Sequence, residues 1–257
     1  MSGFSAVDDA DNPALFVEYL DATARGLAAM KHYVVAAHEV GGSDLVLDIG
    51  CGAGHDLELL ASAGIRSIGI DPSLTLLNAA GAKLQRAAPR PGLVLAGGEA
   101  VPLRSASVRG CRIERVLQHV ADPAAVLTEA VRCLRPGGLL TVFEPDWTQL
   151  QIPSEQFGPD ATWLANVRQP RIGKALWDLV ERAGCQVDDR VEELSVWTSL
   201  ALAERLVSVS AGLRRRVEQG HFTPDHARAW LAEQQAKDRE GRFRAIVAKV
   251  LIVAHKL

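Results

Sequence analysis

Residues 46–56 read Val-Leu-Asp-Ile-Gly-Cys-Gly-Ala-Gly-His-Asp. An apolar run that contains one acid is followed by a glycine at every second position. The side chains of Val46, Leu47 and Ile49 suit a buried strand, and the residues after the glycines suit a helix. Glycine has no Cβ atom and adopts positive φ readily, so it permits a tight turn whose N–H groups are exposed near a helix start. The stretch therefore predicts a strand, a turn and a helix arranged so that a ligand lies against the main chain.

The spacing of the glycines separates two kinds of ligand site. A dinucleotide-binding turn has the pattern G-x-G-x-x-G, which requires glycine at position 55. The chain has His55 there, and its pattern is G-x-G-x-G with Asp48 two residues before Gly50. The spacing therefore argues against a nicotinamide-dependent oxidoreductase.

The composition limits the class of protein. The chain has 257 residues, 48% of them hydrophobic, a net charge of −3 and a pI of about 6.2. This fits one large domain, with or without an insertion, and provides no overall charge that would attract nucleic acid or an anionic membrane. The four cysteines show no C-x-x-C spacing, the N-terminus lacks a signal-peptide pattern, and the apolar stretch 245–254 is too short to span a bilayer. We expect a cytoplasmic protein with neither nucleic acid nor a membrane as partner.

Strand and helix patterns alternate along the chain and predict an α/β fold with a doubly wound parallel sheet. In such sheets, ligands bind outside the carboxyl ends of the strands. The predicted strands are 45–49, 67–70, 93–96, 110–113, 139–143, 187–196 and 247–254. The predicted helices are 12–40, 73–86, 123–134 and 170–184, and a further helical insertion covers 199–243 before the last strand.

Asp71 and three later stretches of sequence extend the pattern of the glycine turn. Asp71 ends the second strand 21 residues after Gly50, where a carboxylate can accept hydrogen bonds from two ribose hydroxyl groups. The other interpretation is that Asp71-Pro72-Ser73 only starts a helix. The later stretches are Ala-Gly-Gly-Glu-Ala-Val-Pro-Leu (96–103), Gly-Cys-Arg-Ile-Glu-Arg-Val-Leu-Gln-His (110–119) and Leu-Arg-Pro-Gly-Gly-Leu-Leu-Thr-Val-Phe-Glu-Pro-Asp-Trp (134–147).

In this order and spacing, the motifs resemble those of the class I S-adenosylmethionine (SAM)-dependent methyltransferases. The likeness is greatest to the group that contains the ubiquinone/menaquinone C-methylases and many natural-product methyltransferases, and it covers residues 14–147. The resemblance implies a Rossmann-like fold, SAM as cofactor with S-adenosylhomocysteine as product, and methyl transfer to oxygen or carbon of a small organic acceptor. The cofactor-binding residues that it implies are Asp48, Gly50, Cys51, Gly52, Gly54, Asp71, Pro72, Gly98, Glu99, Ala100, Glu114 and Arg115.

The same resemblance organises the chain as a single domain, residues 1–257. Residues 1–40 would form an N-terminal helical cap and residues 41–147 the SAM-binding core. Residues 148–257 would complete the sheet, with the insertion 199–243 acting as a lid. One departure is Gly97, which stands where the family usually has an acid that binds adenine, so Glu99 or backbone atoms would take over that contact.

His119 is the preferred catalytic base, because it follows the fourth strand on the side where the methyl group should lie. The alternative is a histidine that only fixes its loop. His55, at a helix start, is expected to be local scaffolding. Glu114 and Arg115 either bind the methionine end of the cofactor or form a local ion pair.

Other acids and aromatic residues have competing interpretations. Glu114, Glu144 and Asp146 could hold Mg²⁺, but the usual Asp-Asp-Asn pattern is missing, so we expect no metal. Trp147 could form a wall of the site or simply pack in a core. The run Arg214–Arg216 is expected to be a solvated helix face, and the Asp/Asn-Pro-Pro-Tyr loop typical of amino-group methylation on nucleobases is absent after the fourth strand. The insertion's aromatic residues either roof a pocket or form a satellite core: Trp163, Trp197, Phe222 and Trp230.

A second function class remains open on the sequence alone. The fold could bind SAM without transferring its methyl group and serve another reaction or a partner. The acceptor and the oligomeric state are not specified by these patterns.

Overall fold

The structure is a computed structural model that describes residues 4, 7–10, 12–25, 28–38, 44–157 and 167–257. Its sheet has seven strands in the order β3-β2-β1-β4-β5-β7-β6, which confirms the predicted fold class. The strands are β1 (Leu45–Ile49), β2 (Arg66–Asp71), β3 (Gly92–Leu95), β4 (Val108–Glu114), β5 (Leu134–Gln151), β6 (Cys185–Trp197) and β7 (Ala245–Lys256). The helices are α1 (Ala14–Arg25), α2 (Ala28–Ala37), α3 (His55–Ser62), α4 (Leu74–Lys83), α5 (Pro123–Cys133), α6 (Ile172–Arg182), α7 (Leu200–Val207), α8 (Val209–Glu218) and α9 (Pro224–Arg239).

The direction of the last strand differs from the parallel sheet that alternation predicted. The pairings of β1 with β2, β1 with β4, β2 with β3 and β4 with β5 are all parallel. The end of β7 lies beside the starts of its neighbours, because Lys256 Nζ donates to the carbonyl of Leu134 at 2.8 Å and Leu257 N–H donates to Gly184 at 3.1 Å. The strand β7 is therefore antiparallel and the sheet is mixed.

Local signals explain where the helices begin. Asp122 accepts hydrogen bonds from the N–H groups of Ala124 and Ala125, and Pro123 occupies the first turn of α5. Ser73 caps α4 by accepting the N–H of Leu76 at 3.2 Å. Within the predicted helical range 12–40 the structure describes the helices α1 and α2, and residues 26–27 and 39–40 lie outside the described residues.

The chain divides into two compact units, whose boundary falls within β5, β6 and β7. Unit 1 comprises residues 1–144, 175–191 and 251–257, and unit 2 comprises residues 145–174 and 192–250. Unit 1 contains β1 to β4 and α1 to α5, with a core of buried apolar side chains that includes Val46, Leu57 and Leu60. The domain boundaries and the lid role drawn from the sequence stay predictions.

Unit 2 has a core of its own beneath the helices of the predicted insertion. Trp147 and Trp230 are buried in it, and Trp197 and Phe222 pack against it. The ring centroids of Trp147 and Trp197 are 6.5 Å apart. These contacts favour the satellite-core interpretation for the described aromatic residues, whereas Trp163 lies outside the described residues.

No helix in the described part of the chain combines the length and the apolar character that crossing a bilayer requires. All four cysteines are buried and unpaired.

Candidate functional site

The turn after β1 depends on its glycines for conformation and for space. Gly50, Gly52 and Gly54 all have positive φ, at 72°, 53° and 80°. A Cβ atom on Gly50 would lie 2.3 Å from Cγ2 of Val116, and one on Gly54 would lie 3.0 Å from the side chain of Ala80. The prediction of a backbone that only glycine allows is therefore met in this structure.

Four N–H groups of this turn are occupied within the protein, so the expectation that the turn exposes its N–H groups to a ligand does not hold for these four. Gly50 and Cys51 donate to the carbonyl of Ile70 at 2.8 and 3.0 Å, and Gly54 donates to Cys51 at 3.0 Å. Gly52 donates to Oδ2 of Asp71 at 2.9 Å. The turn needs these bonds to hold three residues at positive φ. Its glycines therefore provide close approach to the main chain more than hydrogen-bond donors.

Asp71 sits at the carboxyl end of β2 and is joined to the glycine turn. Its Oδ2 accepts from Gly52, and its Oδ1 accepts the N–H of Ser73 at 2.9 Å. The helix-start contact is thus present, and each oxygen keeps a second lone pair for a hydroxyl group. Burial raises the pKa of Asp71, while the N–H bonds from Ser73 and Gly52 lower it.

The loop after β3 lies at the same edge of the sheet, and it also needs a glycine in order to pack closely against its neighbours. Gly98 is buried, and a Cβ atom there would lie 2.9 Å from Ile49 and 3.1 Å from Val126. The predicted residues Glu99 and Ala100 are exposed, as is Pro72 beside Asp71. This loop is consequently a packed turn with an open outer side.

A buried network of charges lies beneath the glycine turn. Arg112 pairs with Glu114 at 3.0 Å, with Asp56 at 3.2 Å and with Asp48 at 3.4 Å. Lys31 on α2 pairs with Asp56 at 2.8 Å and with Glu114 at 2.7 Å, although its own side chain is only 4% exposed. Burying such charges is tolerable only when they are paired.

The network gives its carboxyl groups different acidities. Burial raises the pKa of Asp48 to about 7 despite Arg112. Burial also opposes ionisation of Asp56, but the charges of Arg112 and Lys31 lower the pKa of that carboxyl group to about 2. Oδ2 of Asp48 is buried and has no hydrogen-bond partner among the described residues. Asp48 is therefore an acid that can still accept a contact from a ligand.

The sequence patterns missed Lys31, Asp56 and Arg112. A charged residue in the middle of the apolar strand β4 was the available signal for Arg112, because a buried guanidinium group requires acidic partners. No comparable signal marked Lys31, which lies 83 residues from Glu114. For Glu114, the structure shows the ion-pair interpretation directly.

The turn after β4 begins at a strained residue. Arg115 is a non-glycine residue with φ of 56°, and its N–H donates to the carbonyl of Phe143 at 2.8 Å. Its Nε lies 3.5 Å from Glu114, and the side chain is 18% exposed. Backbone strain of this kind is frequent at functional sites.

His119 closes this turn, with its N–H donating to the carbonyl of Val116 at 2.9 Å. Its ring lies 5.2 Å from the ring of Phe4, which also contacts Phe16 at 4.8 Å and Tyr19 at 5.2 Å. Burial, and then the positive charge of Arg115, lower the pKa of His119 to about 4. The imidazole is therefore neutral at neutral pH and stands beside aromatic rings.

The three acids considered for a metal are each engaged elsewhere. Glu114 pairs with Lys31 and Arg112, and Oε1 of Glu144 accepts the N–H of Leu117 at 2.6 Å. Asp146 accepts Thr148 Oγ1 at 2.5 Å and Gln149 Nε2 at 2.9 Å. Among the described residues, no three His, Cys, Asp or Glu side chains group as a metal site would require. The absence of a metal stays a prediction.

The N-terminal segment contacts the turn between β2 and α4 through Asp8, a residue that the sequence patterns did not single out. Asp8 accepts Ser73 Oγ at 2.6 Å, Leu74 N–H at 2.7 Å and Thr75 N–H at 3.2 Å. The hydrogen bond from Ser73 is the main cause that lowers the pKa of Asp8 to about 2. A Cβ atom on Gly52 would lie 3.1 Å from the side chain of Leu20 on α1. Elements before β1 therefore lie against the site.

His55 contacts side chains of two other helices, α1 and α4, which favours a scaffolding role. Its Nε2 lies 2.6 Å from Asp21 and 3.2 Å from Nζ of Lys83. Trp147 lies in the core of unit 2, as packing would require.

The chain is similar to methyltransferases in sequence. A family profile described as a methyltransferase domain matches residues 47–142. An uncharacterized 37.1 kDa protein in transposon TN4556 of Streptomyces fradiae is 34% identical over 248 residues, which cover 93% of this chain and 70% of that protein. A candidate SAM-dependent methyltransferase of Mycolicibacterium smegmatis is 32% identical over 179 residues, covering 68% of this chain and 64% of that protein.

Solved structures share the fold at low sequence identity. A methyltransferase candidate from Bacillus halodurans has a TM-score of 0.64 with 16% identity, over 89% of this chain and 97% of that one. The (4+2) cyclase SpnF has a TM-score of 0.59 with 18% identity, over 89% and 80%. Geranyl diphosphate C-methyltransferase from Streptomyces coelicolor, in complex with Mg²⁺, geranyl diphosphate and S-adenosylhomocysteine, has a TM-score of 0.55 with 16% identity, over 90% and 77%.

The site residues fit an adenosyl sulfonium ligand. The glycine turn leaves its main chain unobstructed by Cβ atoms, Asp71 keeps lone pairs for hydroxyl groups, and the buried Oδ2 of Asp48 lacks a partner in the described part of the chain. The matched methyltransferase domain and the methyltransferase relatives agree with this ligand. The chain belongs to the class I S-adenosylmethionine-dependent methyltransferases and uses S-adenosylmethionine as its cofactor.

Proposed function

We propose that this enzyme transfers a methyl group to an oxygen or carbon atom of a small, largely apolar organic acceptor, and that His119 accepts the acceptor's proton. The acceptor class would be natural-product-like or quinone-like. The observation that carries the proposal is the neutral imidazole of His119 lying 5.2 Å from Phe4, within a group of aromatic rings at the end of β4.

The residues that would hold the cofactor follow from the geometry of the strand ends. Asp71 would accept the ribose hydroxyl groups, and the glycine turn would lie along the main body of the ligand. Asp48, Glu114 and Arg115 would face its methionine end. The loop residues Gly98, Glu99 and Ala100, with Pro72, would flank the adenine. Bound SAM supplies a methyl group on a positively charged sulfur, which is already a strong electrophile.

With that electrophile supplied, the chain's main task is to position the acceptor. Positioning alone lowers a barrier by up to ~7–11 kcal/mol in favourable cases. The imidazole of His119 provides a lone pair that can take the proton of the acceptor. The ring is neutral because burial and the charge of Arg115 keep its pKa at about 4. A base of such low pKa is weak, so it suits an acceptor whose proton becomes acidic as the new bond to carbon forms.

The aromatic residues around His119 support an apolar acceptor. The ring of Phe4, which contacts His119, also lies beside two other aromatic rings. Its centroid is 4.8 Å from that of Phe16 and 5.2 Å from that of Tyr19. Aromatic rings pack against planar or hydrocarbon groups and offer few hydrogen bonds. The solved structure bound to geranyl diphosphate is a fold neighbour with a hydrocarbon-chain substrate, which agrees with this class. A cytoplasmic location and the absence of nucleic acid or membrane partners stay predictions.

The second candidate function is a reaction on the same fold that does not consume the methyl group. The fold similarity to the (4+2) cyclase SpnF is the observation that favours it. The two candidates differ in product: methyl transfer generates S-adenosylhomocysteine in step with a methylated acceptor, whereas the alternative leaves SAM intact.

The test uses purified protein, SAM labelled with ¹³C in the methyl group, and a panel of phenols, quinols and prenyl compounds. We expect label in one or more acceptors and an equal amount of S-adenosylhomocysteine. In the variant His119→Ala, turnover should fall roughly 10²–10⁴-fold while S-adenosylhomocysteine affinity changes little. Full turnover of that variant from pH 6 to pH 9 would remove His119 from the mechanism, and intact SAM alongside a converted acceptor would favour the second function.

A further inference from the structure

Glu144 is a buried carboxyl group that the proposed chemistry does not use. It ends the part of β5 that lies in unit 1, and its side chain is 0% exposed. Oε1 accepts the N–H of Leu117 at 2.6 Å, and the neighbouring N–H groups of Val116 and Gln118 act on the same carboxyl group. Oε2 is buried and has no hydrogen-bond partner among the described residues. One side chain of β5 thus accepts the main-chain N–H of Leu117, in the middle of the turn after β4, and the N–H groups on either side act on its charge.

That turn connects two parts of the site. Val116, at its start, fills the space beside Gly50, where an added Cβ atom would lie 2.3 Å from Cγ2 of Val116. At its end, the N–H of His119 donates to the carbonyl of Val116. A change in the position of residues 116–118 would therefore move both the imidazole of His119 and the contact that shapes the glycine turn.

We propose that Glu144 is a positioning residue for methyl transfer, whose carboxyl group holds residues Val116–Gln118 and thereby sets both His119 and the glycine turn. The His119 part rests on the proposed function, whereas the Val116–Gly50 part does not. Acting through the turn, Glu144 needs no contact with either reactant.

The ionisation of Glu144 makes this role visible to experiment. Burial raises the pKa of Glu144 to about 8, against the N–H groups of the turn and the charge of Arg115, which lower it. Arg115 is the charged group that faces both Glu144 and His119, and it is itself influenced by Tyr19, Glu114 and Asp56. Near pH 8 the carboxyl group gains a negative charge and becomes a stronger acceptor for the turn.

The experiment compares Glu144→Gln and Glu144→Leu with a matched control, Asp122→Asn. Asp122 also accepts main-chain N–H groups, from Ala124 and Ala125, but at the exposed start of α5. Two readouts are independent of the acceptor: S-adenosylhomocysteine affinity by calorimetry, and the imidazole ¹⁵N resonances of His119 between pH 6 and pH 10, assigned with His119→Gln.

In the wild type we expect the His119 resonances to shift with a midpoint near pH 8, and in Glu144→Gln we expect that step to vanish. The amide oxygen of Gln can still accept the turn's N–H groups, so affinity should stay within about 3-fold. Glu144→Leu removes the acceptor and should weaken S-adenosylhomocysteine binding at least about 10-fold. Asp122→Asn should keep both the step and the affinity.

The proposal is overturned if the step persists in Glu144→Gln, or if folded Glu144→Leu binds S-adenosylhomocysteine like the wild type. Should Glu144→Leu not fold, the titration of Glu144→Gln still decides. Failure of the proposed base is separate, because full turnover of His119→Ala would leave the effect of Glu144 on S-adenosylhomocysteine affinity unchanged.

Discussion

The side chain of Val116 occupies the space in which a Cβ atom of residue 50 would lie. The separation would be 2.3 Å to Cγ2, well inside van der Waals contact. The two residues belong to turns that follow neighbouring strands, β1 and β4, which pair in parallel up to Ile49 and Ile113. The glycine at position 50 is thus required by its neighbour as well as by its own φ of 72°.

The first prediction separates these two requirements. Gly50→Ala should lower the free energy of unfolding by roughly 1–2 kcal/mol for the positive φ and by a further ~1–3 kcal/mol for the overlap with Val116. Gly64→Ala is the matched control, because Gly64 has φ of 74° but nothing within 4 Å of an added Cβ atom. Urea unfolding measures both. Equal losses in the two variants would show that Val116 moves aside at little cost.

The second prediction concerns the buried lysine of α2. Lys31→Met removes one of the two cations, with Arg112, that pair with Asp56 and Glu114, so we expect a loss of about 3–5 kcal/mol in the free energy of unfolding. Lys83→Met is the control, since Lys83 pairs with Asp21 at 3.3 Å and the two side chains are 26% and 49% exposed, and a solvent-accessible pair contributes about 0–1 kcal/mol. Chemical denaturation at pH 7 gives both values. Similar losses for the two lysines would contradict the buried network.

The third prediction is a dependence of stability on pH that originates at His38. Burial lowers the pKa of His38 to about 3, and its Nε2 lies 2.9 Å from Thr141 Oγ1. Below the ordinary histidine pKa of about 6.5 the unfolded chain takes up a proton that the folded protein refuses, so this contribution is complete above 6.5 and is lost as the pH falls towards 3.

The expected slope is about 1.4 kcal/mol per pH unit over that range, and His38→Gln should flatten the curve by this amount. His32→Gln changes an exposed histidine of α2 and should leave the slope unaltered. Unfolding curves at several pH values between 4 and 8 provide the comparison. Parallel curves for wild type and His38→Gln would exclude His38 as a source of acid sensitivity.

The fourth prediction tests the aromatic core of unit 2. Trp230 is 1% exposed, so Trp230→Ala should cost about 3–5 kcal/mol in the free energy of unfolding. Trp197→Ala removes the same kind of side chain from a partly buried position and should cost clearly less. If Trp230 were the roof of a ligand pocket, the first substitution would leave stability nearly unchanged, which thermal and urea unfolding would reveal.

The fifth prediction concerns the anchoring of the N-terminal segment. Asp8→Asn weakens the contacts to Ser73, Leu74 and Thr75, because a charged acceptor binds main-chain N–H groups more strongly than an amide does. Hydrogen exchange at Leu74 and Thr75 should become faster. The neighbouring, exposed Asp9 provides the control as Asp9→Asn. Unchanged exchange in Asp8→Asn would show that the start of α4 does not depend on this carboxylate.

The parts of the fold that the sequence predicted depend on short-range chemistry. The glycine turn, its strand and its helix lie within 18 residues, from Leu45 to Ser62, and each position has a conformational reason. The start of α5 was readable for the same reason, since Asp122 and Pro123 are adjacent in the chain. Such signals do not depend on what the rest of the molecule does.

The missed parts depend on partners that are distant in sequence. Lys31 is an ordinary helix residue until α2 brings it to Glu114, 83 residues away. The N–H groups of the glycine turn are exposed in isolation but are taken up by Ile70 and Asp71 once β2 is alongside. The direction of β7 is likewise invisible in its apolar run, because such a run indicates burial on both faces of the sheet and does not encode the direction of the strand.

The position of β7 has a consequence for how the chain folds during synthesis. This strand is made after β5 and β6, yet it lies between them, and Lys256 at its end binds the carbonyls of Val131 and Leu134. While residues 245–256 are still inside the ribosome, β5 and β6 have no common neighbour to join them. A nascent chain arrested before residue 245 should therefore leave β6 accessible to a protease, and protection should arise in one step when β7 emerges.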